Sequence, residues 1–206
     1  MRLRAPFAAA ALAIFSAAFV FADSQTAAAF TPYPAPDFTI NMPDGKPLRV
    51  SSLKGKVVVV ECLFTTCPHC QHASQVFTQL YKEFGSSGFQ PVGVAFNDEL
   101  FGPNVTPANL TRDFVKQFNV GYPVGWSDRA KVLEFLGATP FDRLVVPQMV
   151  WIDRKGMIRA KTLPGGTDTE HYNETYWRQM IETLTKEPAG ATGKTATHHP
   201  LHTAQK

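Results

Sequence analysis

The chain has 206 residues, of which 44% are hydrophobic and 18% are charged, and its formal net charge at pH 7 is +3. This length and apolar content are enough for one well-buried domain. The charge is too small, and too free of basic blocks, for the electrostatic footprint of a nucleic-acid-binding protein, so we expect no nucleic-acid partner.

The first 29 residues have the composition of an export signal. Two arginines among the first four residues precede an apolar stretch at residues 5–22, and cleavage could follow Ala22 or Ala29. The stretch is also close to the minimum length of a membrane span, so an uncleaved N-terminal anchor is the alternative. Both interpretations predict an exported protein, periplasmic or anchored to the outer face of the inner membrane.

We predict a single domain at residues 33–186, followed by a disordered tail at residues 187–206. The tail is rich in Ala, Thr, Gly, Lys and His and has no periodic apolar pattern. It cannot bury enough surface to offset the entropy of ordering. Its histidines, His198, His199 and His202, could bind a metal loosely, but we interpret them as solvated tail residues and predict neither a metal site nor a cofactor.

The predicted elements begin with a β-hairpin, whose strands cover residues 35–40 and 47–50 on either side of a turn that contains Pro, Asp and Gly. The valine-rich run at residues 57–64 is apolar on both alternating faces, as in a central strand of a parallel sheet. From Cys67 the apolar residues repeat with a helical period until Gly85, which predicts a helix.

The rest of the domain continues to alternate strands with helices. The patterns predict, in order, a strand at 89–96, a helix at about 107–118, a short strand at 122–126, a helix at 130–136, strands at 144–153 and 157–161, and a helix at about 169–185. Such an order predicts an α/β fold with a mixed central sheet flanked by helices.

The motif Cys67-Pro68-His69-Cys70 stands where the valine-rich strand gives way to the first long helix. Only a thiolate is nucleophilic, and the free N–H groups and dipole of a helix N-terminus stabilise a negative sulfur. Pro68 suits the first helical position, where its missing N–H would be unpaired in any case. We therefore predict that Cys67 attacks, that the more buried Cys70 resolves, and that the imidazole of His69 further stabilises the Cys67 thiolate.

Two other roles for the cysteines, zinc binding and a pairing of Cys62 with Cys67, fit the sequence less well. Half of a zinc site would require a second Cys/His pair at ligand spacing, and the domain contains none. Cys62 precedes the motif by five residues and points away from the face of Glu61, because side chains alternate along a strand. We interpret Cys62 as a small buried core residue.

Glu61 places a carboxyl group in the middle of the valine-rich strand. A buried carboxylate costs free energy unless it has a partner or a task. Burial should raise its pKa, so that Glu61 could exchange protons with Cys70 through water. The alternative is an ion pair with a basic side chain at the rim of the sheet.

Pro147 lies in a predicted core strand, where a proline removes a hydrogen-bond donor from the ladder. We expect a cis peptide bond between Val146 and Pro147 at the entrance of the strand, which would leave the backbone of Val146 free to pair with an extended substrate. An ordinary trans proline at the start of the strand is the alternative.

Taken in order, several segments resemble the TlpA/ResA-like branch of the thioredoxin-fold proteins. They are the sequence APDF at 35–38, LKGKVVV at 53–59, the Cys67–Cys70 pair, Val146-Pro147, and DRKG at 153–156. The resemblance implies a central sheet of four or five strands flanked by helices, with residues 98–140 as an insertion between core strands. It also implies an exported or membrane-anchored thiol–disulfide oxidoreductase, a class often found as reductants in cytochrome c maturation.

The resemblance also implies roles for individual residues. Cys67 matches the attacking cysteine, Cys70 the resolving cysteine and Pro147 the cis-proline that faces them, while Glu61 falls where thioredoxin and DsbA-type proteins carry their buried acid. The partners it implies are protein thiols or disulfides and a redox partner protein. We expect the chain to act as a monomer.

The residues between the cysteines depart from the TlpA/ResA pattern. Pro68 and His69, together with Val146 before the proline, are similar to the active site of DsbA-type oxidases. The potentials of DsbA and thioredoxin differ by about 150 mV, or roughly 7 kcal/mol for a two-electron couple, so the dipeptide can set the direction of electron flow without changing the fold.

Three other functions are alternatives to thiol–disulfide exchange. A peroxiredoxin-type peroxidase would require proline at Val60 and threonine at Phe64, and the sequence has neither. A periplasmic metallochaperone could hold copper(I) between Cys67 and Cys70. A redox-gated binding module would use the same pair without turnover.

Overall fold

The structure, a computed structural model, describes residues 30–97, 105–166 and 169–188. The predicted signal or anchor at residues 1–29 lies outside the described residues, as do the three tail histidines and the first part of the predicted insertion. Within the described part, no helix has both the length and the apolar character needed to cross a bilayer.

In the part of the chain that the structure describes, six strands form one mixed sheet: β1 (Tyr33–Pro34), β4 (Val57–Leu63), β5 (Phe89–Ala95), β6 (Val124–Trp126), β7 (Gln148–Ile152) and β8 (Met157–Lys161). They lie in the order β1-β8-β7-β4-β5-β6. At its centre β4 pairs in parallel with β5 and antiparallel with β7. The predicted mixed α/β sheet is therefore confirmed, although in the described residues it has six strands rather than the four or five that the resemblance implies.

The predicted N-terminal hairpin is present as β2 (Thr39–Ile40) and β3 (Leu48–Arg49), which pair with each other outside the main sheet. Backbone hydrogen bonds between Asn41 and Trp126, 2.9 Å in both directions, attach the hairpin to the edge strand β6. The strand β1 was not predicted. It has two exposed residues, too few to show an alternating pattern, and it is defined by its pairing with β8.

Among the described residues, four α-helices flank the sheet: α1 (Pro68–Phe84), α2 (Pro107–Gln117), α3 (Arg129–Leu136) and α4 (Glu174–Lys186). The apolar side chains of α1, α2 and α4 pack in one core, against one face of the sheet. Those of α3 pack with the hairpin in a second core, on the other face. The predicted helices are thus present, and the segment between β5 and β7 supplies both α2 and α3 and the edge strand β6.

The strand β4 is buried along its whole length, and its alternation decides what faces the first helix. Val59 and Leu63 belong to the core on the α1 side, whereas Cys62 belongs to the core on the other side. Glu61 lies in phase with Val59 and Leu63, and its carboxyl group contacts Ser74 on α1. The placement of Cys62 as a core residue on the face opposite Glu61 is confirmed.

Several boundaries differ from the predicted ones. The last helix, expected from about residue 169, begins at Glu174 after a short 3-10 helix at Thr169–Tyr172. The strand expected from residue 144 begins at Gln148, because the preceding residues form a loop in which the Val145 N–H donates to the carbonyl of Pro164 over 2.8 Å. At the other end, Glu187 was expected in the tail, but its carboxylate accepts a 2.6 Å hydrogen bond from Arg159 on β8. This ion pair keeps the residue after α4 against the domain.

Candidate active site

The cysteine motif lies at the N-terminus of α1. Cys67 is the N-cap residue, in an extended backbone conformation, and Pro68 occupies the first turn. The sulfur-bearing residues differ in exposure, since Cys67 is partly exposed and Cys70 is fully buried. Of the two, only Cys67 is therefore accessible to a large molecule, and Cys70 lies beneath the surface.

The turn that presents Cys67 is held by side chains at the end of β5 and on α1. Asn97 accepts a hydrogen bond from the Thr65 N–H at 3.4 Å and donates one to the Thr65 hydroxyl at 3.1 Å. Gln71 donates to the Thr65 carbonyl at 3.0 Å, and the Cys67 N–H donates to the carbonyl of Phe64 at 3.1 Å. These bonds fix the backbone that leads into Cys67.

The loop before β7 faces the cysteines. The peptide bond between Val146 and Pro147 is cis, as the sequence predicted. The thiol of Cys67 donates to the carbonyl oxygen of Val146 at 3.8 Å, although the two residues are 79 positions apart. The structure therefore brings Cys67, Val146 and Pro147 together at one surface.

Cys70 is held as a neutral thiol by its surroundings. Burial raises the pKa of the Cys70 thiol, and the nearby carboxyl group of Glu61 raises it further. Since only a thiolate attacks a disulfide, any reaction at Cys70 would require a proton acceptor. Burial also raises the pKa of Cys62, whose side chain packs in the core on the other face of the sheet.

Glu61 is fully buried and bonded to two hydroxyl groups. Its Oε2 accepts from the Tyr122 hydroxyl at 2.6 Å and from the Ser74 hydroxyl at 3.0 Å. Burial raises the pKa of Glu61 to about 7, even though the two hydroxyl donors oppose this shift. The alternative of an ion pair at the rim of the sheet is wrong, because the carboxyl group lies in the core with hydroxyl partners.

A buried glutamine supports the loop that faces Cys67. The Gln148 side chain donates to the carbonyls of Val145 at 2.5 Å and Leu163 at 3.3 Å, and it accepts from the Thr162 hydroxyl at 3.0 Å. Thr162 in turn accepts from the backbone N–H of Met149 at 2.9 Å. This network ties the residues before Pro147 to the strand that follows it.

Sequence reasoning missed Tyr122, Ser74 and Gln148. Ser74 had a usable signal, because it lies four residues after Cys70 and hence on the same face of the helix. Tyr122 had none, since it is 61 positions from Glu61 and lies in an ordinary pre-strand segment. Gln148 looked like one more residue of an apolar strand.

Beside the cysteines a groove of about 260 Å³ separates α1 from the loop that carries Pro147. Two exposed histidines of α1, His69 and His72, lie along it. The remaining lining residues are mostly apolar: Ala73, Val145, Val146, Pro147, Gly166, Tyr172 and Trp177. The described residues contain no group of three or more His, Cys, Asp or Glu side chains placed to hold a metal ion.

The cysteine pair and the facing cis-proline agree with the protein family that the sequence matches. Residues 32–175, well over half of the chain, match the Redoxin family. The chain belongs to that family. Its Redoxin domain lacks the proline and threonine of the peroxidase signature at Val60 and Phe64, so it differs at those two positions from the peroxiredoxin type.

Two similar proteins, both thiol-disulfide oxidoreductases, indicate where the chain lies within the Redoxin family. The thiol-disulfide oxidoreductase ResA of Bacillus cereus is 23% identical over 146 residues, which cover 71% of this chain and 76% of the relative. ResA of Bacillus subtilis is 29% identical over 107 residues, or 52% of this chain and 55% of the relative.

A solved structure of a thioredoxin family thiol:disulfide interchange protein from Chlorobium tepidum agrees with these relatives. It superposes with a TM-score of 0.59 at 25% identity, covering 77% of this chain and 99% of that chain. The TlpA/ResA-like thioredoxin fold is therefore confirmed, and the enzyme class is that of thiol–disulfide oxidoreductases.

Proposed function

We propose that this chain is an exported oxidoreductase that exchanges disulfides with protein thiols through Cys67 and Cys70. The observation that carries the proposal is the asymmetric pair itself. A partly exposed sulfur caps α1 opposite the Val146 carbonyl, and a buried thiol lies one helical turn below it. The export part of the proposal depends on residues 1–29, whose composition predicts a signal peptide or a membrane anchor.

The first step, written in the reducing direction, joins the enzyme to its substrate. The Cys67 thiolate attacks one sulfur of a substrate disulfide, the substrate S–S bond breaks, and the second substrate sulfur leaves as a thiolate that takes up a proton. The N–H groups at the start of α1 stabilise the thiolate before it attacks. The product is a mixed disulfide between Cys67 and the substrate.

The second step releases the substrate. The Cys70 thiol gives its proton to the Glu61 carboxylate through water, and the Cys70 thiolate attacks the sulfur of Cys67. The mixed disulfide breaks, the substrate sulfur leaves as a thiolate that takes up a proton, and the enzyme retains a Cys67–Cys70 disulfide. A redox partner protein then reduces that disulfide. The same steps in reverse oxidise a substrate dithiol.

The substrate segment lies along the loop opposite Cys67 in this proposal. Among the described residues, no backbone hydrogen bond engages the N–H of Val146, and its carbonyl faces the attacking sulfur. An extended segment next to a substrate cysteine could pair with both groups. The apolar groove beside Pro147 would receive its neighbouring side chains.

The direction of electron flow is set by the potential of the pair. The resemblance to the TlpA/ResA-like branch favours a reductant, for which cytochrome c maturation is the expected setting. The residues Pro68 and His69 favour an oxidase. A potential near about −270 mV assigns the reductant and one near about −120 mV assigns the oxidase.

Trapping the mixed disulfide tests the proposal. Cys70→Ser should accumulate a covalent adduct with a protein that carries a disulfide, because Cys67 attacks that disulfide and no second thiol resolves the product, whereas Cys67→Ser should form none. Cys62→Ser is the matched control and should behave as the wild type. Equal adducts on all three variants would contradict the assignment.

The copper alternative has its own signature. Retention of one copper(I) per chain by the wild type but not by Cys67→Ser, with no trapped adduct on Cys70→Ser, would replace exchange by metal transport. Partner binding that depends on the redox state of the pair but proceeds without turnover would indicate the binding module.

A further inference from the structure

We infer that Tyr122 and Ser74 are positioning residues that anchor one carboxyl oxygen of Glu61 and leave the other, Oε1, as the atom that carries the proton of the resolving step. The inference rests on the proposed proton exchange between Glu61 and Cys70, and it assigns that exchange to one oxygen atom. Neither residue touches the reacting sulfur atoms in this role.

The two hydroxyl groups converge on a single oxygen. Tyr122 donates to Oε2 of Glu61 at 2.6 Å and Ser74 donates to the same atom at 3.0 Å. They come from different parts of the fold, Ser74 from α1 and Tyr122 from the segment before β6, and both are buried. The other oxygen, Oε1, is buried too and has no hydrogen-bond partner in the described part of the chain.

This asymmetry decides where a proton can sit. A carboxyl oxygen has two lone-pair positions, and two donors occupy those of Oε2. A proton on Oε2 would have to displace a hydroxyl donor, whereas a proton on Oε1 displaces nothing. Oε2 then accepts the same two bonds in both protonation states, as the carbonyl oxygen of the acid or as part of the carboxylate.

Tyr122 itself is not the source of the proton. Burial and the adjacent carboxyl group of Glu61 raise the pKa of Tyr122 well above its usual value, so its hydroxyl stays protonated. A hydroxyl that never ionises is a constant donor. It stabilises the carboxylate more than the acid and so lowers the pKa of Glu61 relative to burial alone.

The two donors are tied to each other through the backbone. The Thr78 hydroxyl donates to the carbonyl of Ser74 at 2.9 Å and accepts from the N–H of Gly121 at 3.1 Å. Gly121 is the neighbour of Tyr122 in the chain. A Cβ at Gly121 would lie 3.0 Å from the methyl group of Thr78, so the helix and the pre-strand segment are in close contact.

Few of the other groups around Glu61 can gain or lose a proton. Its register partners are Gly93 on β5 and Met149 on β7, and neither can ionise. Cys70 on α1 and Cys62, its neighbour on β4, are the thiols whose pKa its charge raises. A shift caused by removing the Tyr122 hydroxyl is therefore a shift of Glu61 and Cys70.

The pH dependence of the resolving step provides the test. In the full chain carrying Cys62→Ala, the aromatic disulfide DTNB forms a mixed disulfide on Cys67, and release of the second thionitrobenzoate reports the attack by Cys70. The rate is measured against pH for the parent, Tyr122→Phe, Ser74→Ala and Glu61→Gln. Tyr81→Phe is the matched control, because it removes a hydroxyl that bonds Gln90 and not Glu61.

We expect the midpoint of the rate profile to move upward by about one pH unit in Tyr122→Phe, because hydrogen bonds to charged groups favour the charged form. Ser74→Ala should move it upward by less, since its bond is longer, and Tyr81→Phe should leave it in place. The carboxyl 13C shift of Glu61, followed against pH in the reduced protein, should report the same displacement independently of activity.

The outcomes separate the inference from the function on which it rests. If Glu61→Gln removes the inflection while Tyr122→Phe and Ser74→Ala both coincide with the parent, the positioning role is wrong and the proton role stands. If Glu61→Gln keeps the parent inflection, the proposed proton exchange itself is wrong. A loss of stability in Tyr122→Phe without a shift of either midpoint would mean a purely structural tyrosine.

Discussion

At the scale of single residues, Glu61 connects the chemistry of the site to the stability of the domain. Its pKa is about 7 in the folded protein, raised from 4.5 by burial. A group whose folded pKa is raised stabilises the fold while it is protonated. That stability is complete below about pH 4.5 and is lost as the pH rises towards 7 and beyond.

Glu61→Gln should therefore flatten the dependence of stability on pH. The free energy of unfolding of the wild type should fall by on the order of 3 kcal/mol between pH 4.5 and pH 8, and the variant should lose most of this fall, because the amide cannot ionise. Denaturant titrations at a series of pH values measure it. Glu134→Gln, at an exposed site on α3, is the control, and parallel curves for wild type and Glu61→Gln would contradict the account.

The thiols should also differ in reactivity. Cys67 is partly exposed, whereas Cys70 and Cys62 are buried and burial raises the pKa of each. Iodoacetamide at neutral pH should modify Cys67 about tenfold faster or more than either other thiol, because only an accessible thiolate reacts. Peptide mass analysis after timed quenching measures the rates, and equal labelling of Cys67 and Cys70 would be inconsistent with the structure.

At the scale of elements, the loop before β7 depends on one buried side chain. Gln148 holds the carbonyls of Val145 and Leu163 and accepts from Thr162. Its removal takes a hydrogen-bond donor from the Val145 carbonyl and an acceptor from the buried Thr162 hydroxyl, and a buried group left unsatisfied costs about 1–3 kcal/mol.

Gln148→Ala should lower the free energy of unfolding by about 2 kcal/mol or more and slow mixed-disulfide formation at Cys67, because the loop that faces the sulfur loses its support. Chemical denaturation and adduct kinetics measure the two effects. Gln79→Ala, at an exposed position on α1, is the control. A stability equal to that of the control would show that the network is dispensable.

The elements also show how far the sequence could be interpreted. The helical period after Cys67 predicted α1, and Pro68 predicted its start, because both signals are local. The cis geometry of the bond between Val146 and Pro147 could be predicted, because a proline stands at the entrance of a core strand. The hydroxyl partners of Glu61 could not, because Tyr122 reaches it through a sheet order that no local pattern encodes.

At the scale of the whole molecule, the N-terminal hairpin closes the edge of the sheet at β6. Gly125 on β6 makes this possible, since a Cβ there would overlap the backbone oxygen of Asn41 and lie 2.7 Å from a methyl group of Ile40. The alternation of strands and helices predicted the fold class, but the docking of the hairpin on β6 depends on contacts between distant segments.

Gly125→Ala should therefore separate the hairpin from the sheet. We expect the melting temperature to fall and the free energy of unfolding to drop by about 2 kcal/mol or more, as in overpacked cores. Gly165→Ala is the control, because a Cβ at Gly165 meets nothing within 4 Å. Equal melting temperatures for the two variants would mean that the hairpin is not attached as the structure shows.

The measurement that tests the central claim most directly is the reduction potential of the Cys67–Cys70 pair. The chain carrying Cys62→Ser is equilibrated in glutathione buffers of known potential, and the fraction of disulfide is measured by thiol trapping. We predict a single two-electron couple between about −270 and −120 mV that is absent from Cys67→Ser. If no disulfide forms between these cysteines anywhere in that range, thiol–disulfide exchange through this pair is contradicted.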